Sequence, residues 1–459
     1  MKSRLTALFA SLLLLASMIG GCTTLPHVPD KRAPAASVPT VTGLNGELKP
    51  SVAREMLEER WTHASRDLKA LATLEEAATG VPLIAGNNVS LLFDGPQTMN
   101  AMMDAVRGAK ETINLETYIF DQDEVGMRFA NLLIERQRAG VRVNVMYDSV
   151  GTIGVPPEFF ERMRAAGITL LAFNPINPAK ARGKWAINNR DHRKLLVVDG
   201  KVAFTGGINI SEDYANSSLF RSRRRPPASA EVGWRDTHIR IEGPAVAALQ
   251  WSFIDNWVNQ VAGDLPEANY FPKLKPVGDK MLRVLATRPN TGFEIYKAFM
   301  VAIQEAKKSI HITSAYFVPD KQIIEALGAA AKRGVDVQLI LPSRTDHGIV
   351  ADAGRATYDR LLGSGVRIFE LQVAVLHAKT AVIDGAWSTV GSANIDRRSF
   401  LHNYELNVIV IDPAFGREME AAFTEDLRNS NEVTLANWRK RPVTERFKEW
   451  AAQLLGYWL

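Results

Sequence analysis

The sequence predicts an α/β fold built from two homologous halves, and three observations predict it. The first is a long repeat. AMMDAVRGAKETINLETYIF (101–120) and AFMVAIQEAKKSIHITSAYF (298–317) place Ala105/Ala302, Ala109/Ala306, Ile113/Ile310, Leu115/Ile312 and Phe120/Phe317 all 197 positions apart. Each copy is a helical pattern followed by an alternating, strand-like one. The second is RQRAGVRVNVMYD (136–148) against AAKRGVDVQLILP (330–342), with Gly140 and Gly334 offset by 194. There a helix ends on basic residues, glycine caps it, and a β-branched strand follows. The third is a polar motif, taken up below, whose two copies are 185 apart. A slowly drifting offset means two large units rather than short solenoid repeats. Strand–helix–strand alternation in each unit argues for α/β layers on a central sheet.

The segments follow in order. Residues 1–21 read as a secretory signal: Lys2 and Arg4 are the basic start, and Leu5 to Ile19 is an apolar run of fifteen residues. That run is short of the ~20 that a bilayer span needs. Ile19-Gly20-Gly21-Cys22 resembles the bacterial lipoprotein box, which makes Cys22 the expected lipidation site. Thr23 rather than Asp follows it, which by resemblance to Gram-negative lipoproteins favours the outer membrane, facing the periplasm, over the inner one. Residues 22–80 read as a Pro-, Thr- and Ala-rich tether to about Pro50, then an N-terminal helical segment. The first half spans 81–262, a Pro- and Gly-punctuated linker 263–280, and the second half 281–459. Its tail carries Trp438, Trp450, Tyr457 and Trp458 among Arg and Lys. That pattern suits an interfacial amphipathic helix and a packed one equally.

Composition bounds the rest. Across 459 residues, 46% are hydrophobic and 23% charged, as in an average globular chain. Multi-span membrane and disordered classes are excluded for the bulk of it. The single cysteine allows no intramolecular disulfide and no Cys-rich metal site. A net charge of +5 is compatible with an anionic partner without identifying one.

The motif reads His192-Arg193-Lys194, Asp199, Gly206-Gly207-Ile208-Asn209 in the first half. In the second it reads His377-Ala378-Lys379, Asp384, Gly391-Ser392-Ala393-Asn394, with identical spacing. His and Lys two apart on a strand share a face. An imidazole beside an ammonium is poor core packing, because each needs a partner. The pair makes sense if a phosphate enters between them, with the glycine turn allowing close backbone approach and the Asn amide as a further donor. Two copies facing each other would set two imidazoles on opposite sides of one phosphorus. One can then attack while the other protonates the leaving oxygen.

Both copies resemble the signature of the phospholipase D superfamily, over nearly the whole mature chain. Within it the chain looks most like bacterial cardiolipin synthases. The supporting strings are LETYIFDQDEVG (115–126), FNP (173–175), WRDTHIRIEGPAV (234–246), AYFVPD (315–320), NIDRRSF (394–400) and ANWRKRP (436–442). Three departures stand out. The lipobox replaces the usual pair of N-terminal spans, Gly207 stands where the second copy has Ser392, and RSRRRPP (221–227) is inserted before WRD.

The resemblance implies two α/β/α sandwich repeats packed as a pseudo-dimer and a catalytic set of His192, Lys194, Asp199, His377, Lys379 and Asp384. It favours His192 as the nucleophile that becomes a phosphohistidine, with His377 as general acid and then base. Lys194, Lys379, Asn209 and Asn394 would hold the non-bridging phosphate oxygens. Asp199 and Asp384 precede Gly at strand ends, where Asp suits a turn, so their role is mainly structural. Asp236 and Glu405 are the carboxylates expected to orient the imidazoles; they lie 44 and 28 residues after His192 and His377. Glu116, Tyr118 and Tyr316 either line a headgroup pocket or pack the sheet. His238, His311 and His402 lack the pattern and read as core or surface. Arg221, Arg223, Arg224 and Arg225 read as a solvated loop or a contact for anionic headgroups. No cofactor and no metal are expected, since zinc spacings and nucleotide loops are missing.

The implied activity is phosphatidyl transfer between two phosphatidylglycerols, releasing glycerol, at an anionic membrane surface and without nucleic acid. A phospholipase D hydrolase, or a transferase with another donor or acceptor, would keep the same site. A nuclease of the superfamily and an inactive membrane scaffold are the remaining readings.

Overall fold

Short polar side chains start the helices and glycines stop them, in matching places in both halves. The computed structural model describes residues 24–29, 38–61, 65–177, 179, 185–215, 233–260 and 265–456. The signal segment, Cys22 and the basic run 221–225 lie outside the described residues. After α1 (Pro50–Arg60) and α2 (Ser65–Thr79), the first half opens with β1 (Leu83–Leu92), α3 (Gly95–Gly108), β2 (Thr112–Thr117), α4 (Glu124–Arg138), β3 (Arg142–Asp148), α5 (Pro157–Ala165) and β4 (Thr169–Phe173). It closes with β5 (Arg190–Asp191), β6 (Leu195–Val198), β7 (Val202–Gly206), β8 (Trp234–Arg235), β9 (His238–Glu242) and α6 (Ala245–Gln260).

The second half opens with β10 (Lys280–Thr287), α7 (Glu294–Glu305), β11 (Ser309–Ser314), α8 (Lys321–Lys332), β12 (Asp336–Pro342), α9 (Gly348–Arg355) and β13 (Arg367–Leu371). Then come β14 (Val375–Leu376), β15 (Lys379–Ile383), β16 (Trp387–Gly391), β17 (Asn403–Ile411), α10 (Pro413–Arg428), β18 (Ser430–Val433) and α11 (Val443–Gln453). Asp123 caps α4 by accepting from the Gly126 N–H, and Asp320 caps α8 by accepting from Gln322 and Ile323. Gly140 and Gly334 end those helices at φ +93° and +91°, where a side chain would be strained.

Strand pairing repeats in the two halves. The order is β4-β3-β2-β6-β7-β9-β1 in the first and β13-β12-β11-β15-β16-β17-β10 in the second. β1 and β10 then pair antiparallel with each other, Ile84 opposite Leu282, so one sheet runs through both halves. The pseudo-two-fold falls between those two strands.

Strand alternation divides the core. In β6, Leu196 and Val198 face one apolar cluster under α3, α4 and α5, while Leu195 and Val197 face another. That second cluster also takes Val382 of β15 and Leu406, Val408 and Val410 of β17, so it belongs to both halves. The outward residues Ala381, Ile383, Ile409 and Ile411 join a third cluster.

The tether expectation is corrected for the described part of residues 24–50. Val28 is buried and its N–H donates to Gln322, while Val41 pairs with Leu83 at the edge of β1. Ala53, Leu57, Trp61 and Ala72 of the N-terminal region pack into the second half's core, not the first's. Apolar residues spaced through a Pro- and Thr-rich stretch are enough to hold it down once an adjoining groove exists. The extended C-terminal half is likewise completed by α11, whose Lys448 pairs with Asp352 of α9 at 2.8 Å.

Candidate active site

The two histidines are placed by strands that cross between the halves. β5, which leads into His192, pairs in parallel with the start of β17: Arg190 lies opposite Asn403 and Asp191 opposite Tyr404. The His192 N–H then donates to the Tyr404 carbonyl at 3.0 Å. β14, which leads into His377, pairs in the same way with β8, Leu376 opposite Arg235, and the His377 N–H donates to the Arg235 carbonyl at 2.8 Å. Each histidine is thus sewn beside the residue that follows the one its N–H bonds to, Glu405 after Tyr404 and Asp236 after Arg235. His192 Nδ1 stands 3.1 Å from both oxygens of Glu405, and His377 Nδ1 stands 2.7 Å from Asp236 Oδ2. Counting along the chain had measured each carboxylate from the histidine of its own half. In space the pairing is exchanged, because the parallel register, not sequence distance, sets the neighbour.

Burial governs the charges. His192 is pushed down to about 4 by desolvation, with Glu405 pulling it up less than burial pushes. His377 is pushed well below the ordinary imidazole range by burial, and then by Lys379, Lys194 and His192. Both rings are neutral at neutral pH. The carboxylates accept the Nδ1 proton, which assigns Nε2 as the free basic nitrogen on each ring. Burial raises Asp236 to about 6 against the pull of Lys379. Burial also opposes ionisation of Glu405, but the His192 contact and the Ser392 hydroxyl outweigh it and hold it at about 2.

The lysines point inward. Lys194 Nζ donates to the His192 carbonyl at 2.6 Å and lies 5.2 Å from the Tyr118 ring centre. Lys379 Nζ donates to the His377 carbonyl and lies 2.9 Å from that ring's Nδ1. Burial lowers them to about 7 and about 8, with Glu405 and Asp236 holding them up. Two buried ammonium groups whose charge burial disfavours would be held charged by an anion beside them.

The glycine turns differ in step with the carboxylates. Ser392 donates its hydroxyl to Glu405 of its own half. At Gly207 a Cβ would stand 2.2 Å from Asp236 Oδ1, so the turn closes on the shorter acid only without a side chain. Asn209 and Asn394 line the cleft that both rings share. Asn209 accepts from the Ile119 N–H and donates to the Tyr214 hydroxyl, while Asn394 Oδ1 is buried with no protein partner.

Asp199 and Asp384 stand at the far ends of β6 and β15 from the lysines. Asp199 accepts from the N–H groups of Lys110, Glu111 and Thr112; Asp384 accepts from those of Lys307, Lys308 and Ser309. The catalytic set expected from the motif therefore divides: His192 and His377 line the cleft, Lys194 and Lys379 lie buried directly against them, and Asp199 and Asp384 stand apart.

The cleft holds about 310 Å³ and is walled by Tyr118, Tyr214, Trp234 and Tyr316 among others. Glu116 is not in its wall. It is buried against Asn256 at 2.6 Å and Arg193 at 3.8 Å, so it packs the sheet. Sequence reasoning did not single out Arg190, Tyr214, Asp346 or Arg398, all of which line the cleft. Only Arg398 carried a signal, as part of NIDRRSF. His238 is buried next to the Ile208 N–H and His311 pairs with Glu420 of α10. Among the described residues, no three His, Cys, Asp or Glu side chains gather as a metal ion requires.

Comparison with known proteins agrees with this arrangement. Residues 102–219 and 299–427 match the family described as cardiolipin synthase, PLD-like domain. The chain is 34% identical over 417 residues to cardiolipin synthase A of Pseudomonas fluorescens (strain SBW25), covering 91% of this chain and 83% of that one. It is 34% identical over 378 residues to the cardiolipin synthase of Staphylococcus aureus (strain N315), covering 82% and 74%. Among solved structures, the phosphatidylserine synthase of Haemophilus influenzae Rd KW20 superposes with a TM-score of 0.65 at 13% identity, over 85% of this chain and all of that one. At that identity it speaks for the fold alone.

Proposed function

This chain belongs to the phospholipase D-like family of cardiolipin synthases, and from that premise we propose that its cleft moves a phosphatidyl group from one phosphatidylglycerol to another. The observation that carries the proposal is the crossed pair of carboxylate-held imidazoles on one cleft, each flanked by an inward lysine. A phosphodiester seated between the rings holds Lys194 and Lys379 charged and raises the basicity of His377. With the anion bound, His377 Nε2 takes up a proton from solvent; His192 Nε2 then forms the N–P bond as the P–O bond to glycerol breaks, and His377 gives that Nε2 proton to the departing oxygen. In the second step His377 takes the proton from a hydroxyl of another phosphatidylglycerol. That oxygen bonds to phosphorus, the N–P bond breaks, and cardiolipin leaves. One phosphodiester replaces another, so no nucleotide is consumed. Lys194, Lys379, Asn209 and Asn394 serve as donors to the phosphate oxygens, which gain charge in the five-coordinate state.

The membrane is the partner surface. Among the described residues no helix is long and apolar enough to cross a bilayer. α11 instead turns Ala452 inward and leaves Val443, Phe447, Trp450 and Leu454 exposed along one stripe, 54–76% each. A stripe at i, i+4, i+7 and i+11 with Arg446 and Lys448 beside it suits the headgroup boundary of an anionic leaflet. Attachment through Cys22 to the periplasmic face of the outer membrane rests on the signal sequence alone and remains part of the proposal.

The test is the product profile. Purified protein with phosphatidylglycerol vesicles is expected to yield cardiolipin and glycerol by mass spectrometry, and His192→Ala to lose at least ~10³-fold in rate, as removal of a covalent nucleophile does. Phosphatidic acid as sole product would replace the transferase by a hydrolase.

A further inference from the structure

The two ends of the cleft differ in charge. At the first-half end, Asp148 is fully buried and Arg190 neutralises it at 3.3 Å. At the second-half end, Asp346 lines the cleft in the loop before α9, and its side chain is 32% exposed. Among the described residues, the exposed His347 places its Nε2 3.5 Å from Asp346 Oδ2. The Tyr316 hydroxyl donates to both Asp346 oxygens, at 2.7 and 2.8 Å. Tyr316 in turn stands edge-on to the His377 ring, 6.2 Å between centres at 87°. Burial favours the neutral acid, but the Tyr316 hydrogen bond, His347 and His377 together hold Asp346 below the usual carboxylate range. It is an anion in a cleft proposed to take anionic lipids.

A fixed negative charge there weakens binding of a bare phosphodiester. It strengthens binding only of a headgroup that brings hydrogen-bond donors. Resting on the transfer reaction above, we propose that Asp346 and Tyr316 form the headgroup subsite on the His377 side, and that they hold the hydroxyls of a glycerol. Asp346 has acceptor sites left after accepting hydrogen bonds from the Tyr316 and Thr345 hydroxyls, and the Tyr316 oxygen keeps a lone pair for a second hydroxyl. A glycerol whose terminal oxygen lies at phosphorus has a neighbouring hydroxyl free to reach that pair. By microscopic reversibility the departing and the incoming glycerol occupy one place, so a single subsite serves both steps. Water has only its own oxygen to offer and gains nothing from the second contact. The subsite therefore decides transfer against hydrolysis.

Two variants of the full chain test this on phosphatidylglycerol vesicles: Asp346→Asn, which keeps shape and removes the charge, and Tyr316→Phe, which removes the hydroxyl. Each is expected to lower the ratio of cardiolipin to phosphatidic acid about tenfold, the effect of one charge-assisted hydrogen bond, whatever the change in total turnover. Exchange of labelled glycerol into phosphatidylglycerol should show a raised KM for glycerol in both. A product ratio within about twofold of wild type in both folded variants, at unchanged glycerol KM, overturns the subsite. A second arm supplies phosphatidylethanolamine as the only added acceptor. If Asp346→Asn loses that reaction but keeps the glycerol one, the carboxylate reads an ammonium and the assignment to hydroxyls falls. Wild-type protein that makes no cardiolipin would instead remove the transfer reaction itself, an outcome visible before any variant is compared.

Discussion

Asp199 takes three backbone N–H groups at the start of β2, and Asp384 takes the three equivalent ones at the start of β11. Both sit at φ +53°, in the left-handed region that Asp tolerates better than most side chains. The turn that each closes sets where its strand begins, and so where the lysine at the other end of the neighbouring strand stands. Asp199→Ala leaves those donors to water and is expected to cost about 2–3 kcal/mol, in line with hydrogen bonds to a charged group. A lowered urea midpoint with activity per folded molecule preserved is the expected pair of readings; lost activity at unchanged stability would return Asp199 to the chemistry. The turn residues opposite it obey a similar steric logic. Gly207 accompanies the shorter Asp236, and Ser392 accompanies Glu405, whose extra methylene leaves room for a hydroxyl.

At the scale of elements, the two-residue strands β5 and β14 matter more than their length suggests. Their parallel pairing with β17 and β8 is what hands each imidazole to the other half's carboxylate. α11 is the other element whose reading the structure sharpens. It is both packed and amphipathic: Glu449 and Ala452 face the protein, while Phe447 and Trp450 lie against each other on the exposed side, tilted by 36° with 5.6 Å between ring centres. It lies along α9, which also supplies Val350 to the cleft wall. Replacing both rings by Ser is expected to weaken binding to phosphatidylglycerol vesicles at least ~10-fold, since each aromatic buried at an interface is worth roughly 1.5–3 kcal/mol. Turnover of short-chain phosphatidylglycerol dispersed as monomers should not change. Equal vesicle binding, measured by co-flotation of chains lacking residues 1–23, would remove α11 from the membrane contact.

Across the whole molecule, the halves share too much to behave as separate domains. The sheet is continuous through β1 and β10, and a buried cluster draws on strands from both sides. Arg235 of the first half holds Asp426 of the second with two bonds, at 2.8 and 2.9 Å. Arg193 reaches across to the carbonyls of Glu405 and Thr287. Calorimetry is therefore expected to show one cooperative transition, and two resolved peaks assignable to residues 81–262 and 281–459 would contradict the shared core. What was legible in the chain follows from local periodicity: the duplicated helix–strand units, the glycine stops at Gly140 and Gly334, and the His-x-Lys pairs all recur at set spacings. The α1–α2 region resisted that reading because its apolar residues find their groove on the second half, far along the sequence.

By itself, then, the sequence determined that there are two α/β units, that each carries an imidazole and an ammonium two residues apart, and that these residue types suit a phosphate; the expected shared strand face is corrected, because His192 to Lys194 and His377 fall in the links between strands. Spacing along a chain encodes which residues share a short segment, and that is a local property. Which carboxylate meets which histidine, that Asp346 and Tyr316 stand at one end of the cleft, and that Asp199 and Asp384 stand apart from it were decided only by tertiary structure. Those facts depend on strand register between segments some two hundred residues apart, set by burial of a core that no local pattern contains.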